Sequence, residues 1–264
     1  MKVAFWNGIS SSDGAINYVA AVGVILALEY NCEIVLGSNY ISNHMLQDCF
    51  SGKMKDIRDF PAQHRFLYGS LEYCRALWSM KGNRQSSILE LPMEGITIIY
   101  PPDMTETSMF YYKASPDAFY LLDLAEENKP VFQNAIEEAD VLIVVLPQDV
   151  AEIQKFFRRF SSLIPHVFFV IEETQQINRK ENRRLNCEIM TEYGFKRRNI
   201  AWIPKSREYK EACEDGKLED YLKKIHSTHD SQYCVKSGVR KVAKLLLRIK
   251  NAENTEESEK NQKQ

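Results

Sequence analysis

None of the six cysteines, at positions 32, 49, 74, 187, 213 and 234, stands in a CxxC pair. That removes the common spacing of zinc and thiol-redox sites and fits a reduced chain better than a disulfide scaffold. An excess of one charge is lacking too. With 34 basic and 36 acidic side chains the formal net charge is −2, so no global positive field exists to hold nucleic acid or anionic lipid, and any such contact is local. Long apolar runs are also missing. The stretch from Tyr18 to Leu28 is well short of the roughly 20 residues a bilayer crossing takes. The opening MKVAFWNG turns polar too soon for the core of a signal peptide. The expected location is cytoplasmic, at most peripheral to the inner face of the membrane. No GxSxG elbow occurs, and no histidine has a recognisable nucleophile context, so no catalytic residue is expected. His226, His229 and Cys234 lack a fourth ligand, and no metal site is expected there. What the chain does have is 44% hydrophobic and 27% charged residues over 264 positions, enough for a sizeable core in one large domain or two small ones.

Short β-branched or aromatic runs recur at Val3–Trp6, Glu33–Leu36, Ile96–Tyr100, Phe119–Leu124, Val141–Leu146, Val167–Ile171 and Ile200–Ile203. Most are solidly apolar rather than alternating, the pattern of strands covered on both faces in a parallel sheet. Helical patterns fall between them at Asn17–Tyr30, Val131–Glu138, Val150–Phe160 and Arg179–Tyr193, the last ending at Gly194. Strand and helix alternate, which predicts an α/β fold with a mostly parallel sheet sandwiched between helices. The main domain is expected over 1–235. A helical insertion without an obvious strand, rich in aromatic residues such as Tyr68, Tyr73 and Trp78, is expected at about 43–91. A basic amphipathic helix over 236–250 and a disordered tail over 251–264 complete the chain. That tail, NAENTEESEKNQKQ, has almost nothing apolar to offset the entropy of ordering.

The first strand runs through Asn7-Gly8-Ile9 into Ser10-Ser11-Ser12-Asp13-Gly14-Ala15-Ile16 and then an apolar helix beginning near Asn17. Strand, small-residue loop, helix is the layout of a phosphate loop. There GxxxxGK[ST] wraps backbone N–H groups round the phosphates, a Lys reaches the β and γ phosphates, and a hydroxyl binds magnesium. Here Gly14 is in place, but Ala15 stands for the Lys and Ile16 for the hydroxyl. Phe119-Tyr120-Leu121-Leu122-Asp123 is an apolar strand ending in a carboxylate, the kind of group that holds magnesium or its water beside a nucleotide. Ala139-Asp140 then opens a core strand ending at Pro147, and a late strand ends at Ile203-Pro204.

In the order of these features, and in the stretch Glu211–Lys217, the chain from Lys2 to about Lys224 resembles the ParA/MinD-like deviant P-loop ATPases, which include the CpaE-like proteins of pilus assembly. The resemblance implies a P-loop NTPase architecture with nucleotide at the C-terminal ends of the strands. The family loop KGGxGK[ST] falls on Ser10–Ile16, where only Gly14 is kept. The acidic residue expected after the second strand is absent from Leu36-Gly37-Ser38-Asn39. Losing the phosphate Lys alone should weaken ATP binding about ten- to a few hundred-fold, since a hydrogen bond to a charged partner contributes roughly 1.5–3 kcal/mol. Asp13 adds a repelling carboxylate. The expectation is a pseudo-ATPase with no cofactor. Its degenerate site would comprise Ser10, Ser11, Ser12, Asp13, Gly14, Ala15, Ile16, Asn17 and Asp123, binding ATP and Mg only if it still functions. The alternatives are an active ATPase of the family and an unrelated α/β enzyme. A Rossmann protein is disfavoured by the lack of GxGxxG.

The resemblance further implies protein partners, such as pilus or secretion components, and allows a homodimer. In the 236–250 helix, Val239, Val242, Leu246 and Ile249 share one face, and Arg240, Lys241, Lys244 and Arg248 the other. Such a helix can lie on an anionic membrane or in a partner's groove, or pack on the sheet with its cations solvated. A second basic cluster, Arg179 to Arg184 with Lys196, Arg197 and Arg198, is diluted by Glu181, Glu188 and Glu192, which argues against nucleic acid.

Overall fold

Strand β1 (Lys2–Asn7) lies in the middle of the sheet, with β5 (Phe119–Leu124) on one side and β6 (Val141–Pro147) on the other. The computed structural model describes residues 1–8, 14–38, 45–51, 87–90, 93, 95–100, 117–124, 130–160, 167–173, 179–224 and 234–261. The remaining strands are β2 (Ile34–Ser38), β3 (Ser87–Glu90), β4 (Ile96–Tyr100), β7 (Val167–Glu173) and β8 (Ile200–Pro204). They form one eight-stranded sheet in the order β3-β4-β2-β5-β1-β6-β7-β8. Every neighbouring pair is parallel except β3 with β4. All seven apolar runs are therefore strands, and all seven are parallel. The reason is visible in β1: Val3 and Phe5 point into one hydrophobic core, Ala4 and Trp6 into another. A strand buried on both faces leaves few positions for a polar residue.

One face is covered by α1 (Gly14–Tyr30), α2 (Met45–Ser51), α6 (Arg207–Glu214), α7 (Leu218–Lys224) and α8 (Val235–Asn261). The other carries α3 (Pro130–Glu138), α4 (Val150–Arg159) and α5 (Arg179–Glu192). Helix α1 is apolar all round because it is enclosed: Val19 to Val22 and Val24 to Leu26 are fully buried between the sheet and α8. It stops where Asn31 takes a left-handed φ of 52°, and the Asn31 and Cys32 amides return to the carbonyls of Ala27 and Leu26. Helix α4 keeps only one apolar stripe, Ile153, Phe156 and Phe157. Its start is set by Asp149, whose carboxylate accepts from the amides of Ala151 at 2.8 Å and Glu152 at 3.1 Å. Gly194, at φ 87°, follows the end of α5 as the sequence pattern predicts.

Three features depart from expectation. The range 43–91 is not all helical: β3 occupies its last residues and pairs antiparallel with β4 at the sheet edge. Residues 52–86, with Tyr68, Tyr73 and Trp78, lie outside the described residues. Helix α1 begins at Gly14, nearly a turn before Asn17. Helix α8 does not stop at Lys250 but continues to Asn261. Its added segment is rich in Glu with Ala and Lys, good helix formers that extend an anchored helix. Residues 262–264 lie outside the description.

Candidate functional site

The parallel strands deliver their C-terminal ends, with the start of α1, to one edge of the sheet, where ligands of open α/β folds bind. The chain leaves β1 through Gly8, whose amide donates to the Val145 carbonyl at 3.3 Å. A Cβ there would lie 2.7 Å from Phe156 Cδ2 and 2.9 Å from Val144 Cγ1, so the exit from the strand admits only glycine. Ser10, Ser11, Ser12 and Asp13 lie outside the described residues. Gly14 opens α1. Ala15 and Ile16 then turn into the core on its first turn, 3% and 4% exposed. The two side chains that the sequence resemblance sets against a phosphate-binding ammonium and a magnesium-binding hydroxyl thus serve as packing.

Asp123 stands near the end of β5, in register with Phe5 of β1 and Ser38 of β2. It is 5% exposed, and Ser38 Oγ donates to its Oδ2 at 3.2 Å. Burial pushes its carboxyl up to about 7, opposed only in part by the Ser38 hydrogen bond. A carboxyl with that affinity for protons is half neutral near physiological pH. The position after the second strand, where the resemblance implies an acid, is here the donor to that carboxyl.

Beside it the edge is filled by side chains that the sequence pattern did not single out. The Tyr18 hydroxyl donates to Glu172 Oε1 at 2.8 Å, and the Tyr18 ring stacks on Tyr209 with centroids 6.0 Å apart. Tyr209 donates to the backbone carbonyl of Asn17 at 2.7 Å. The Cys49 thiol lies 3.6 Å from Asn17 Oδ1, and its hydrogen bond with Cys213, together with burial, pushes its pKa up. Asn17 is thus occupied from two sides by the protein. Glu172 carried the same signal as Asp123, a carboxylate closing an apolar strand. Tyr18, Tyr209, Cys49 and Cys213 carried none, because they meet only through the packing of α1, α2 and α6.

The basic helix is placed differently from the membrane reading. Val239, Val242 and Leu246 are buried against α1 and β8, and Ile249 packs on the same core. Its apolar face is therefore spent inside the fold, and a bilayer would have to pull it out. The other face is partly engaged. Arg240 makes a bidentate pair with Glu29, both contacts 2.6 Å, and Lys241 donates to the Ile200 carbonyl. From the second basic cluster Arg183 is not solvated either: it pairs with Glu173 and covers the Trp202 ring at 5.4 Å. Among the described residues no helix is long and apolar enough to cross a membrane.

No protein-family model matches the chain, and no curated protein matches its sequence. Solved structures do. The MinC:MinD cell division complex of Aquifex aeolicus aligns with a TM-score of 0.58 at 11% identity, covering 93% of this chain and 95% of that one. MinD of Pyrococcus horikoshii with Mg-ADP aligns at 0.58 and 12% identity over 93% and 96%. A ParA family ATPase from Chlorobium tepidum aligns at 0.55 and 16% identity over 92% and 96%. The fold is that of the MinD and ParA proteins. At these identities the likeness is one of architecture, and it spans nearly all of the chain.

Proposed function

We propose that this chain is a ParA/MinD-type protein that has lost ATP hydrolysis and acts as a scaffold or regulator through protein contacts. The observation that carries this reading is the burial of Ala15 and Ile16 on the first turn of α1. An ATPase of this design places an ammonium and a hydroxyl there, and neither a methyl nor a butyl group neutralises a triphosphate. Asp123 supports it from the other side. A buried carboxyl that holds its proton near neutrality is a poor magnesium ligand until the site is opened to water. A MinD of the same fold is seen with MinC, which supports a protein partner as the functional counterpart. The CpaE-like branch, and a partner in pilus or secretion assembly, rest on the sequence resemblance alone.

The test is isothermal titration of the full chain with ATP and magnesium, followed by phosphate release. The expected result is no saturable heat below about millimolar ATP and no turnover above background. A MinD of this fold was solved with Mg-ADP. A low micromolar dissociation constant here, with phosphate release, would show the chain to be an active ATPase and overturn the reading.

A further inference from the structure

At the opposite edge of the sheet from the phosphate-loop end, α8 crosses the N-terminal halves of β7 and β8. Between them lies a cavity of about 400 Å³, within the size range of small-molecule sites. Phe168, Val170 and Leu245 supply apolar wall, while Arg198 from the turn before β8 and Lys244 and Arg248 from α8 bring charge to it. These three cations have no hydrogen-bonding or ion-pair partner among the described residues. Two further cations line the cavity with their head groups already held, Arg240 by Glu29 and Lys241 by the Ile200 carbonyl. No acidic side chain is among the lining residues described. Arg198 and the α8 cations are about fifty residues apart in the chain, so the cluster exists only in the fold.

From this juxtaposition of an apolar cavity with three unpartnered cations, we propose that the cavity binds a small phosphate ester, its body against Phe168 and Leu245 and its phosphate on Arg198, Lys244 and Arg248. Guanidinium groups match phosphate oxygens two at a time, and an ammonium adds a point charge. An apolar body seated in the cavity contributes burial that a bare anion lacks. An extended polyanion fits less well. A nucleic-acid backbone does not enter a cavity of this size, and the chain as a whole carries a net charge of −2, with Glu253, Glu256, Glu257 and Glu259 following Lys250 on the same helix.

The experiment uses the full chain and 1-naphthyl phosphate as probe, read by titration calorimetry, with 1-naphthol and inorganic phosphate as controls. Saturable one-to-one binding is expected, at least tenfold tighter than either control. The double variant Lys244→Gln/Arg248→Gln should weaken it at least tenfold, and Arg198→Gln should weaken it as well. All three side chains are exposed, so the variants should keep the parent melting temperature. A variant of the other edge, Asp123→Asn, should bind the probe as the parent does. Parallel arms with glycerol 3-phosphate and with phosphatidic acid vesicles name the source. Binding of glycerol 3-phosphate that the double variant loses marks a soluble ester, and vesicle binding that it loses marks a lipid headgroup. Absence of saturable probe binding would overturn the proposal. So would probe binding that the double variant leaves unchanged, or duplex DNA binding tighter than the probe and lost in the same variant.

Discussion

Asp123 carries a cost that can be measured. Its folded-state pKa of about 7 lies above that of an unfolded aspartate, about 4. Between those values the folded chain holds a proton that the unfolded chain has released, so stability falls as pH rises through the window and levels off above it. Asp123→Asn removes the charge and keeps an acceptor for Ser38. Chemical denaturation should find that its stability relative to the parent's rises from pH 4 to 7, so that its advantage at pH 8 exceeds that at pH 4 by up to about 4 kcal/mol. Equal pH dependence in the two proteins would show that the carboxyl is not desolvated. Gly238 gives a second prediction at this scale. A Cβ there would sit 2.6 Å from Ile203 Cγ1 and 2.7 Å from the Trp202 carbonyl oxygen, and a backbone atom cannot swing aside. Gly238→Ala should therefore cost about 1–3 kcal/mol, read as a lowered thermal midpoint, despite the better helix propensity of alanine. Of these residues, Asp123 was legible in the sequence because a carboxylate closing an apolar strand is unusual. Its neutrality was not, because that depends on how completely the folded sheet and helices bury it, against the opposing hydrogen bond from Ser38.

Helix α8 holds the fold through charge as well as apolar contact. Glu29 near the end of α1 receives Arg240 in a two-pronged pair and lies 3.6 Å from the ammonium of Lys236, which is 4% exposed. Replacing Glu29 with Gln leaves two cations facing each other without a counter-charge. The expected loss is about 2–3 kcal/mol in a urea titration, with Arg240→Met costing less because it removes a charge rather than stranding one. Truncation gives the sharper contrast. A chain ending at Lys250 should unfold cooperatively, whereas one ending at Cys234 exposes the buried flank of α1 and should not. The strand pattern was readable because the runs in the middle of the sheet, such as Val3–Trp6 and Val141–Leu146, are covered on both faces. β3 was not, since a short edge strand such as Ser87-Ile88-Leu89-Glu90 needs only one neighbour and leaves a weak apolar signal. The amphipathic face of α8 was also readable, but period alone does not say whether the core or a bilayer receives it; the apolar flank of α1 does.

For the whole molecule, the alternation of strand and helix anticipated a mostly parallel α/β sheet, and the resemblance carried by the order of the motifs anticipated the MinD and ParA architecture. The edge holding Tyr18, Glu172, Tyr209 and Cys49 was out of reach, since these groups come from elements separated by long stretches of chain. Taken together, the two edges of the sheet divide the predictions cleanly: nucleotide should be ignored at the edge where the sequence resemblance implies it, and a phosphate ester should be held at the other.

The central position of β1 also bears on how the protein is made. When β1 leaves the ribosome, both its neighbours, β5 and β6, are more than a hundred residues downstream. Until residue 124 has emerged, Val3 to Trp6 have no strand to pair with, and until residue 147 one side of β1 stays open. Stalled chains ending before Phe119 should be captured by chaperones and cut readily by protease, and chains extended past Pro147 should begin to resist.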